Sequence, residues 1–247
     1  MAQDDIITAA VLVIGDEILS GRTKDRNSGT IAEHLTDIGI ALREVRVVGD
    51  VTAEIVEAVN ALRARYTYVF TTGGIGPTHD DITADSIGAA FGVPVDIDPR
   101  AVAIMAPIYA ERGIELTAAR LRMARIPAGA ELITNSISAA PGFKIENVMV
   151  LAGVPDIMRS MLVAVTNQLR TGPKVNAVSI VLAFPEGEIA DLFAAHQAAY
   201  PDVVMGSYPS FSDGKYRTEL VLRSADQSRL ETARRELERM LAEREFL

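Results

Sequence analysis

The chain has 247 residues, with 24 Lys and Arg against 33 Asp and Glu, and its net charge is −9. This acidic balance argues against DNA or anionic membranes as partners, because attraction to phosphates needs clustered cations. The absence of cysteine excludes disulfides, thiol nucleophiles and Cys-ligated zinc. Neither a signal peptide nor a bilayer-spanning apolar run is visible, so we expect a cytoplasmic protein without membrane partners.

Strand-like and helix-like segments alternate through the first two thirds of the chain. Strands are predicted at 9–14, 42–48, 67–72 and 148–152. The signals for helices are caps at Thr52, Thr83 and Asp98, stops at Gly39 and Gly92, and a kink or end at Pro107. The alternation predicts an α/β domain with a parallel sheet between two layers of helices. Ligands of such sheets bind beyond the carboxyl ends of the strands.

A break at Thr171-Gly172-Pro173 divides the chain into two predicted domains, 1–172 and 173–247. The second domain is predicted as a small α+β unit with strands at 177–183, 202–208 and 216–222 and helices at 187–199 and 226–243. Its last two strands are joined by Asp213-Gly214, a dipeptide typical of tight hairpins.

The sequence TTGGIGPTHDD, residues 71–81, follows a predicted strand directly. Glycines let a backbone approach phosphate closely, and exposed N–H groups of such loops attract anions. Candidate phosphate-binding residues are Thr72, Gly73, Gly74, Gly76 and Thr78, and the paired acids Asp80 and Asp81 end the loop. The Gly spacing fits neither a Walker loop nor a dinucleotide fingerprint. The alternative is a structural strand-to-helix turn, with Asp81 or Thr83 as a cap.

Further candidates lie at the ends of other predicted strands. Asp16 and Glu17 follow the first strand, with Asn27 in the loop beyond them, and Asp50 follows the second. Ser136, Pro141, Gly142, Gly153 and Pro155 are candidate ligand contacts near the fourth strand. For each of these residues a turn or a cap is the structural alternative.

A pyrophosphate on the Gly73-Gly74 loop would be repelled by the acids around it, Asp16, Glu17, Asp80 and Asp81. A divalent cation such as Mg²⁺ would remove this conflict by bridging carboxylate and phosphate oxygens. We therefore predict a metal-assisted phosphate site in which those four residues hold the ion. Asp81, Asp16 and Asp80 are the candidate catalytic residues.

The runs VIGDEILSGRTKDRNS, VVGD, TTGGIGPTHDDIT, SAAPGF and GVPDIM occur in this order between residues 8 and 170. Together they resemble the molybdenum-cofactor-biosynthesis, or molybdopterin-binding, domain family, and most closely its CinA-like branch (competence/damage-inducible protein A). The resemblance implies a three-layer α/β/α domain. Its functional acids match Asp16, Asp50 and Asp81, and its glycine loop matches Thr72, Gly73, Gly74 and Gly76.

Members of this superfamily bind and adenylylate molybdopterin, whereas the CinA-like branch is associated with metal-dependent hydrolysis of ADP-ribose, and the related domain of FAD synthases with hydrolysis of FAD. The resemblance thus implies a nucleotide or pterin ligand and a dimer or trimer. The C-terminal amidase domain of longer CinA proteins has no counterpart in this sequence. The branch usually has an Asn and a Gln within the segment that reads LRMAR here, residues 121–125. A pyrophosphatase, a molybdopterin-binding or adenylyl-transferring protein, and a binding module without chemistry remain the three hypotheses.

Overall fold

The computed structural model describes residues 6–247 and consists of two compact units, which meet in sequence at Gly172 and Pro173. The first five residues of the predicted N-terminal domain lie outside the described residues. Within the described part of the chain, no helix is both long and apolar enough to cross a membrane.

A six-stranded sheet forms the centre of the first unit. Its strands are β1 (Thr8–Ile14), β2 (Ala41–Val48), β3 (Tyr68–Thr72), β6 (Glu131–Ile133), β7 (Gly142–Ile145) and β8 (Val148–Leu151), and a separate antiparallel pair consists of β4 (Val95–Ile97) and β5 (Arg125–Pro127). The order across the sheet is β2-β1-β3-β8-β7-β6. The first four of these strands are parallel, and β7 and β6 extend the sheet in antiparallel fashion. The predicted parallel sheet is therefore confirmed, with an antiparallel extension.

Helices cover both faces of this sheet. They are α1 (Asp16–Leu19), α2 (Asn27–Asp37), α3 (Thr52–Arg65), α4 (Thr83–Phe91), α5 (Pro99–Glu111), α6 (Ala118–Leu121) and α7 (Pro155–Thr166). Because successive strand residues point to opposite faces, β1 contributes to two cores. Leu12 belongs to the core that includes Ile55 of α3, and Val11 to the core that includes Ile31 of α2. The three-layer α/β/α fold is confirmed.

The signals for helix ends were less reliable than those for the helices themselves. Asp98 caps α5 and accepts a hydrogen bond from the backbone N–H of Arg100, as predicted. The predictions for Thr52 and Thr83 were wrong, because each is the first residue of its helix and the cap position belongs to the residue before it. Pro107 does not end α5, which continues to Glu111.

The four parallel strands end at one edge of the sheet, and each is followed there by a glycine or a glycine-containing turn. Gly15, Gly49, Gly73 and Gly153 lie just beyond β1, β2, β3 and β8, respectively. Side chains from these four loops therefore converge on the edge where α/β sheets bind their ligands.

The second unit is an antiparallel sheet covered by two helices. It comprises β9 (Asn176–Leu182), α8 (Glu186–Ala199), β10 (Val204–Ser212), β11 (Lys215–Ser224) and α9 (Gln227–Ala242), with sheet order β10-β11-β9. Leu182 and Leu220 lie in one buried core with Leu192 and Leu237 of the helices. The α+β prediction is confirmed. Asp213 and Gly214 have φ angles of 53° and 74° and form the predicted hairpin turn.

His196, on α8, is buried and donates a hydrogen bond from Nε2 to the carbonyl of Ala233 at 2.9 Å. Burial lowers the pKa of His196 below its ordinary value of about 6.5. The unfolded chain then binds this proton more readily than the folded one, so stability falls as the pH drops below about 6.5, by at most about 1.4 kcal/mol per pH unit for one proton.

We expect the urea concentration at the unfolding midpoint of the second unit to be lower at pH 5.5 than at pH 7.5. We also expect His196→Gln to reduce this fall, because a glutamine amide can donate to Ala233 without titrating. His34→Gln provides the comparison, since His34 lies in the first unit and burial also lowers its pKa. An equal fall in the wild type and in His196→Gln would contradict this account.

Candidate functional site

The Gly73-Gly74 turn can be formed only by glycine. Gly73 has φ +107°, and a Cβ atom there would lie 2.1 Å from the carbonyl oxygen of Ile14. Gly74 has φ +65°, and its Cβ would lie 2.2 Å from Thr83 Oγ1. The buried Thr83 hydroxyl donates to the Gly73 carbonyl at 3.0 Å, and this explains why it does not cap α4. The turn is thus fixed between the end of β1 and the start of α4.

The second half of the loop closes through Asp81. Its Oδ2 accepts hydrogen bonds from the backbone N–H and the hydroxyl of Thr78, at 2.8 and 2.6 Å. A Cβ on Gly76 would lie 2.6 Å from the same oxygen. Arg122 donates to the carbonyl oxygens of Thr78 and Asp81, at 3.1 and 3.3 Å. Arg122 was not predicted as a site residue, although the departure from the family pattern at 121–125 pointed to that segment.

Asp16 and Asp50 are joined by reciprocal hydrogen bonds across the ends of β1 and β2. The backbone N–H of Asp16 donates to Asp50 Oδ2 at 3.0 Å, and that of Asp50 donates to Asp16 Oδ1 at 3.2 Å. Burial raises the pKa of the Asp50 carboxyl, and the negative charges of Asp16, Glu17 and Asp80 raise it further. These carboxylates therefore lie close enough to repel one another.

Among residues 6–247, no three of the side chains that commonly bind metals are grouped closely enough to hold an ion by themselves. Mg²⁺ does not need such a cage, because it usually keeps several waters and binds one or two carboxylates together with substrate phosphates. Glu17 and Asp81 both line the cleft beside the Gly73-Gly74 turn. They are the two carboxylates among the residues that line this cleft, and an ion shared with a phosphate on the turn would have them as its candidate ligands.

Asn27, the first residue of α2, connects β3 to the loop after β8. Its Nδ2 donates to Thr72 Oγ1 at 2.7 Å and to the carbonyl of Gly153 at 2.8 Å. The Thr72 hydroxyl in turn donates to the carbonyl of Ala152 at 3.0 Å, so it can only accept from Asn27. These bonds fix the orientation of the amide. Asn27 Oδ1 is buried and has no hydrogen-bond partner among the described residues.

We expect Asn27→Asp to lower the free energy of unfolding by about 2–3 kcal/mol, because it replaces a buried donor with a charge that faces the oxygens of Thr72 and Gly153. Ser28→Ala is the control. The Ser28 hydroxyl is buried without a partner among the described residues, so its removal should change stability by less than about 1 kcal/mol. Urea denaturation of both variants gives the comparison, and equal effects would argue against the role given to Asn27.

Two clefts share the strip formed by Gly73 and Gly153. The first has a volume of about 410 Å³ and its lining includes Asn27, Thr72, Pro155, Arg22, Lys24 and Arg26; we call it the Asn27 cleft. The second has a volume of about 550 Å³ and its lining includes Ile75, Tyr109, Met123, Ala140, Val154 and Ile157; we call it the Tyr109 cleft. Glu17, Gly73 and Gly153 line both clefts.

The other predicted site residues lie outside these two clefts. Asp16 begins α1, and Asp50, Thr78 and Asp80 lie in loops; none of these four lines either cleft. Pro141 lines a small space next to Gly74. Gly142 begins β7, where a Cβ would lie 2.3 Å from the Val150 carbonyl. The backbone N–H of Ser136 donates to Ser160 Oγ at 3.0 Å.

The comparisons with known proteins agree with this organisation. Residues 10–171 match the family model described as probable molybdopterin binding domain, and residues 174–247 match the middle domain of FAD synthase. The crystal structure of the protein CinA from Thermoplasma acidophilum is similar, with a TM-score of 0.61 and 34% identity, and the match covers 66% of this chain and 98% of that structure.

Two relatives match nearly the whole chain. A protein of Aeropyrum pernix is 33% identical over an alignment of 240 residues, and the match covers 92% of this chain and 88% of the relative. A probable FAD synthase of Caenorhabditis elegans is 29% identical over 261 residues, covering 95% of this chain and 50% of its own. The chain therefore spans about half the length of that synthase.

Proposed function

We propose that this chain, which belongs to the family of probable molybdopterin-binding domains, hydrolyses the pyrophosphate of a dinucleotide such as ADP-ribose or FAD. The structural similarity to CinA agrees with this family. The observation that carries this proposal is the pair of clefts, which share Gly73 and Gly153. A ligand with two bulky halves and a pyrophosphate between them matches this arrangement. Each cleft has a volume in the range typical of small-molecule sites.

The similarity to a probable FAD synthase also favours a dinucleotide, because it covers both units of the chain. FAD and ADP-ribose share the same central chemistry, a pyrophosphate that joins adenosine to a second half. Neither the two clefts nor the similarity to a probable FAD synthase identifies the second half of the ligand. The proposal is therefore for the class of dinucleotides that contain an adenosine pyrophosphate.

The residues have distinct roles in this proposal. The Gly73-Gly74 turn presents its backbone to the pyrophosphate, and Thr72 supports the turn from the end of β3. Glu17 and Asp81 would hold a divalent ion such as Mg²⁺, and the ion would activate water and neutralise phosphate charge. Asp16 and Asp80 add negative charge beside them. Water attacks one phosphorus, the bridging P–O bond breaks, and the products are AMP and the phosphate ester of the other half.

The second candidate function is binding or adenylylation of molybdopterin. The description of the family favours it, and the mostly apolar Tyr109 cleft suits a planar pterin ring as well as a flavin. The third is a binding module without chemistry. It is favoured by Asp81, since Oδ2 of this residue is already engaged by Thr78.

One set of assays separates the three. The purified chain is incubated with ADP-ribose, FAD and related dinucleotides, with Mg²⁺ or with EDTA, and AMP is measured by chromatography. AMP release that requires the metal supports the pyrophosphatase. If no dinucleotide is cleaved but molybdopterin is adenylylated by Mg-ATP, the second function replaces the first. Binding without turnover of any compound supports the third.

We expect Mg²⁺ and the dinucleotide to bind together. Because the described carboxylates form no three-ligand cage, calorimetric titration of Mg²⁺ into the chain alone should give only weak binding. In the presence of the non-hydrolysable methylene analogue of ADP-ribose, the affinity for Mg²⁺ should rise about tenfold or more. Equal affinity with and without the analogue would indicate a resident ion and would contradict this arrangement.

A dimer or trimer and a cytoplasmic location stay predictions from the sequence and its resemblance. Size-exclusion chromatography with light scattering gives the oligomeric state directly. A monomer at micromolar concentration would remove the first of these two predictions.

A further inference from the structure

We propose that the Asn27 cleft is a phosphate-selective subsite. It receives the half of the ligand that carries a phosphomonoester, which is separate from the pyrophosphate that joins the two halves. This inference rests on the proposed function and names a substrate class for it. The class comprises compounds such as NADP⁺ and coenzyme A, in which a phosphomonoester is attached to the adenosine ribose.

The first observation is the charge of the cleft. Arg22, Lys24 and Arg26 line it from the segment between α1 and α2, and all three residues are exposed. Within residues 6–247, none of the three forms a salt bridge. In a chain with a net charge of −9, three cations without acidic partners in one short segment indicate an anionic ligand.

Two carboxylates, Asp25 and Glu17, also line this cleft, but within the described part of the chain neither forms a salt bridge with the three cations. Asp25 Oδ1 accepts hydrogen bonds from the backbone N–H groups of Asn27 and Ser28, at 2.9 and 3.2 Å, so its charge is directed to the start of α2. Glu17 lies at the strip shared with the Tyr109 cleft, where the pyrophosphate and its ion are proposed. The three cations are therefore available to an anionic group other than the pyrophosphate.

The second observation is Asn27 itself, which is only 8% exposed. Its Oδ1 has no hydrogen-bond partner among the described residues, whereas Nδ2 makes two bonds that fix the amide. Asn27 lines the cleft, and a ligand group that reaches this oxygen has to bring a donor, such as a ribose hydroxyl or an amino group on a base. A phosphorylated nucleoside supplies both the donor and the anion.

The Tyr109 cleft differs in chemistry. Arg112 is the cation among its lining residues, which also include the acids Glu17 and Asp81 and are otherwise mostly apolar. Such a lining favours an uncharged planar ring over a second phosphate. The contrast between the clefts gives the ligand one orientation, with its phosphorylated half beside Asn27.

The test compares NAD⁺ with NADP⁺, which differ in one phosphate on the adenosine ribose. Affinities are measured by calorimetry with Mg²⁺ on the Asp81→Asn chain, so that hydrolysis does not interfere. We expect a Kd for NADP⁺ about tenfold lower than that for NAD⁺, the size of one charge-assisted contact. The double variant Lys24→Met/Arg26→Met should weaken the binding of NADP⁺ more than that of NAD⁺ and so remove this difference. Arg43→Met, an exposed cation on β2 outside both clefts, should keep the difference.

Equal Kd values for the two compounds, or a difference that persists in the double variant, would overturn the subsite. Failure to bind either compound would overturn it as well. Failure of the wild-type chain to release AMP from any dinucleotide counts against the proposed function alone, because the Kd ratio is measured without turnover.

Discussion

Replacing Asp81 with Asn should lower kcat for dinucleotide hydrolysis by roughly 100-fold or more, the range seen when one group that stabilises transition-state charge is lost. The asparagine oxygen can still accept the hydrogen bonds from Thr78 that close the loop. The variant therefore loses the negative charge beside the Gly73-Gly74 turn and keeps the shape of the loop. Its free energy of unfolding should stay within about 1 kcal/mol of the wild type.

The matched control is Asp96→Asn. Asp96 is an exposed acid on β4 that accepts a hydrogen bond from the backbone N–H of Ile97 at 2.7 Å, and it lines neither cleft. Its replacement should leave kcat unchanged. Wild-type turnover in Asp81→Asn would remove Asp81 from the catalytic residues. A loss of turnover in both variants would indicate a general effect of charge.

Replacing Gly73 with Ala should lower the free energy of unfolding by about 3 kcal/mol or more and abolish dinucleotide binding. An alanine there has to adopt φ +107°, and its Cβ would lie 2.1 Å from the carbonyl oxygen of Ile14. The carbonyl belongs to the backbone at the end of β1, so it cannot move without disturbing the sheet. The backbone that faces the ligand would move instead.

Gly92→Ala separates this contact from the cost of a positive φ. Gly92 ends α4 with φ +67°, and a Cβ there would meet nothing within 4 Å. The left-handed conformation alone should cost this variant about 1–2 kcal/mol. Chemical denaturation of the two variants measures the difference. Equal losses would mean that the approach of Gly73 to Ile14 is unimportant.

The fold could be predicted from the sequence wherever the elements are long. A strand of five or more residues, such as β1, and a helix of ten or more, such as α3, carry enough apolar residues to show their period. The strands β4 to β7 have only three or four residues each, and none was predicted. Their pairing depends on neighbours in space, which a local pattern does not contain.

Within the site, the sequence identified the loops but not how they are connected. Asn27 was predicted as a ligand contact, yet its donor groups serve Thr72 and Gly153, which are 45 and 126 residues away. Such contacts follow from strand order, which brings β1, β3 and β8 side by side. Arg122 escaped prediction for the same reason, since its acceptor on Thr78 lies 44 residues earlier.

The paired acids show a second limit of sequence reasoning. Asp80 and Asp81 were both predicted as metal ligands, from their negative charge beside a bound pyrophosphate. Only Asp81 lines the Tyr109 cleft, where it also closes the loop through Thr78, whereas Asp80 adds to the negative charge around Asp50. Successive side chains in a turn point in different directions, so adjacency in sequence does not predict a shared ligand.

The central claim is that one dinucleotide occupies both clefts with its pyrophosphate on the strip between them. A crystal structure of the chain with Mg²⁺ and the methylene analogue of ADP-ribose tests this most directly. The account predicts the bisphosphonate on the Gly73-Gly74 turn, the ion between it and the carboxylates of Glu17 and Asp81, and one half of the ligand in each cleft. A ligand confined to a single cleft, or bound away from Gly73 and Gly153, would contradict it.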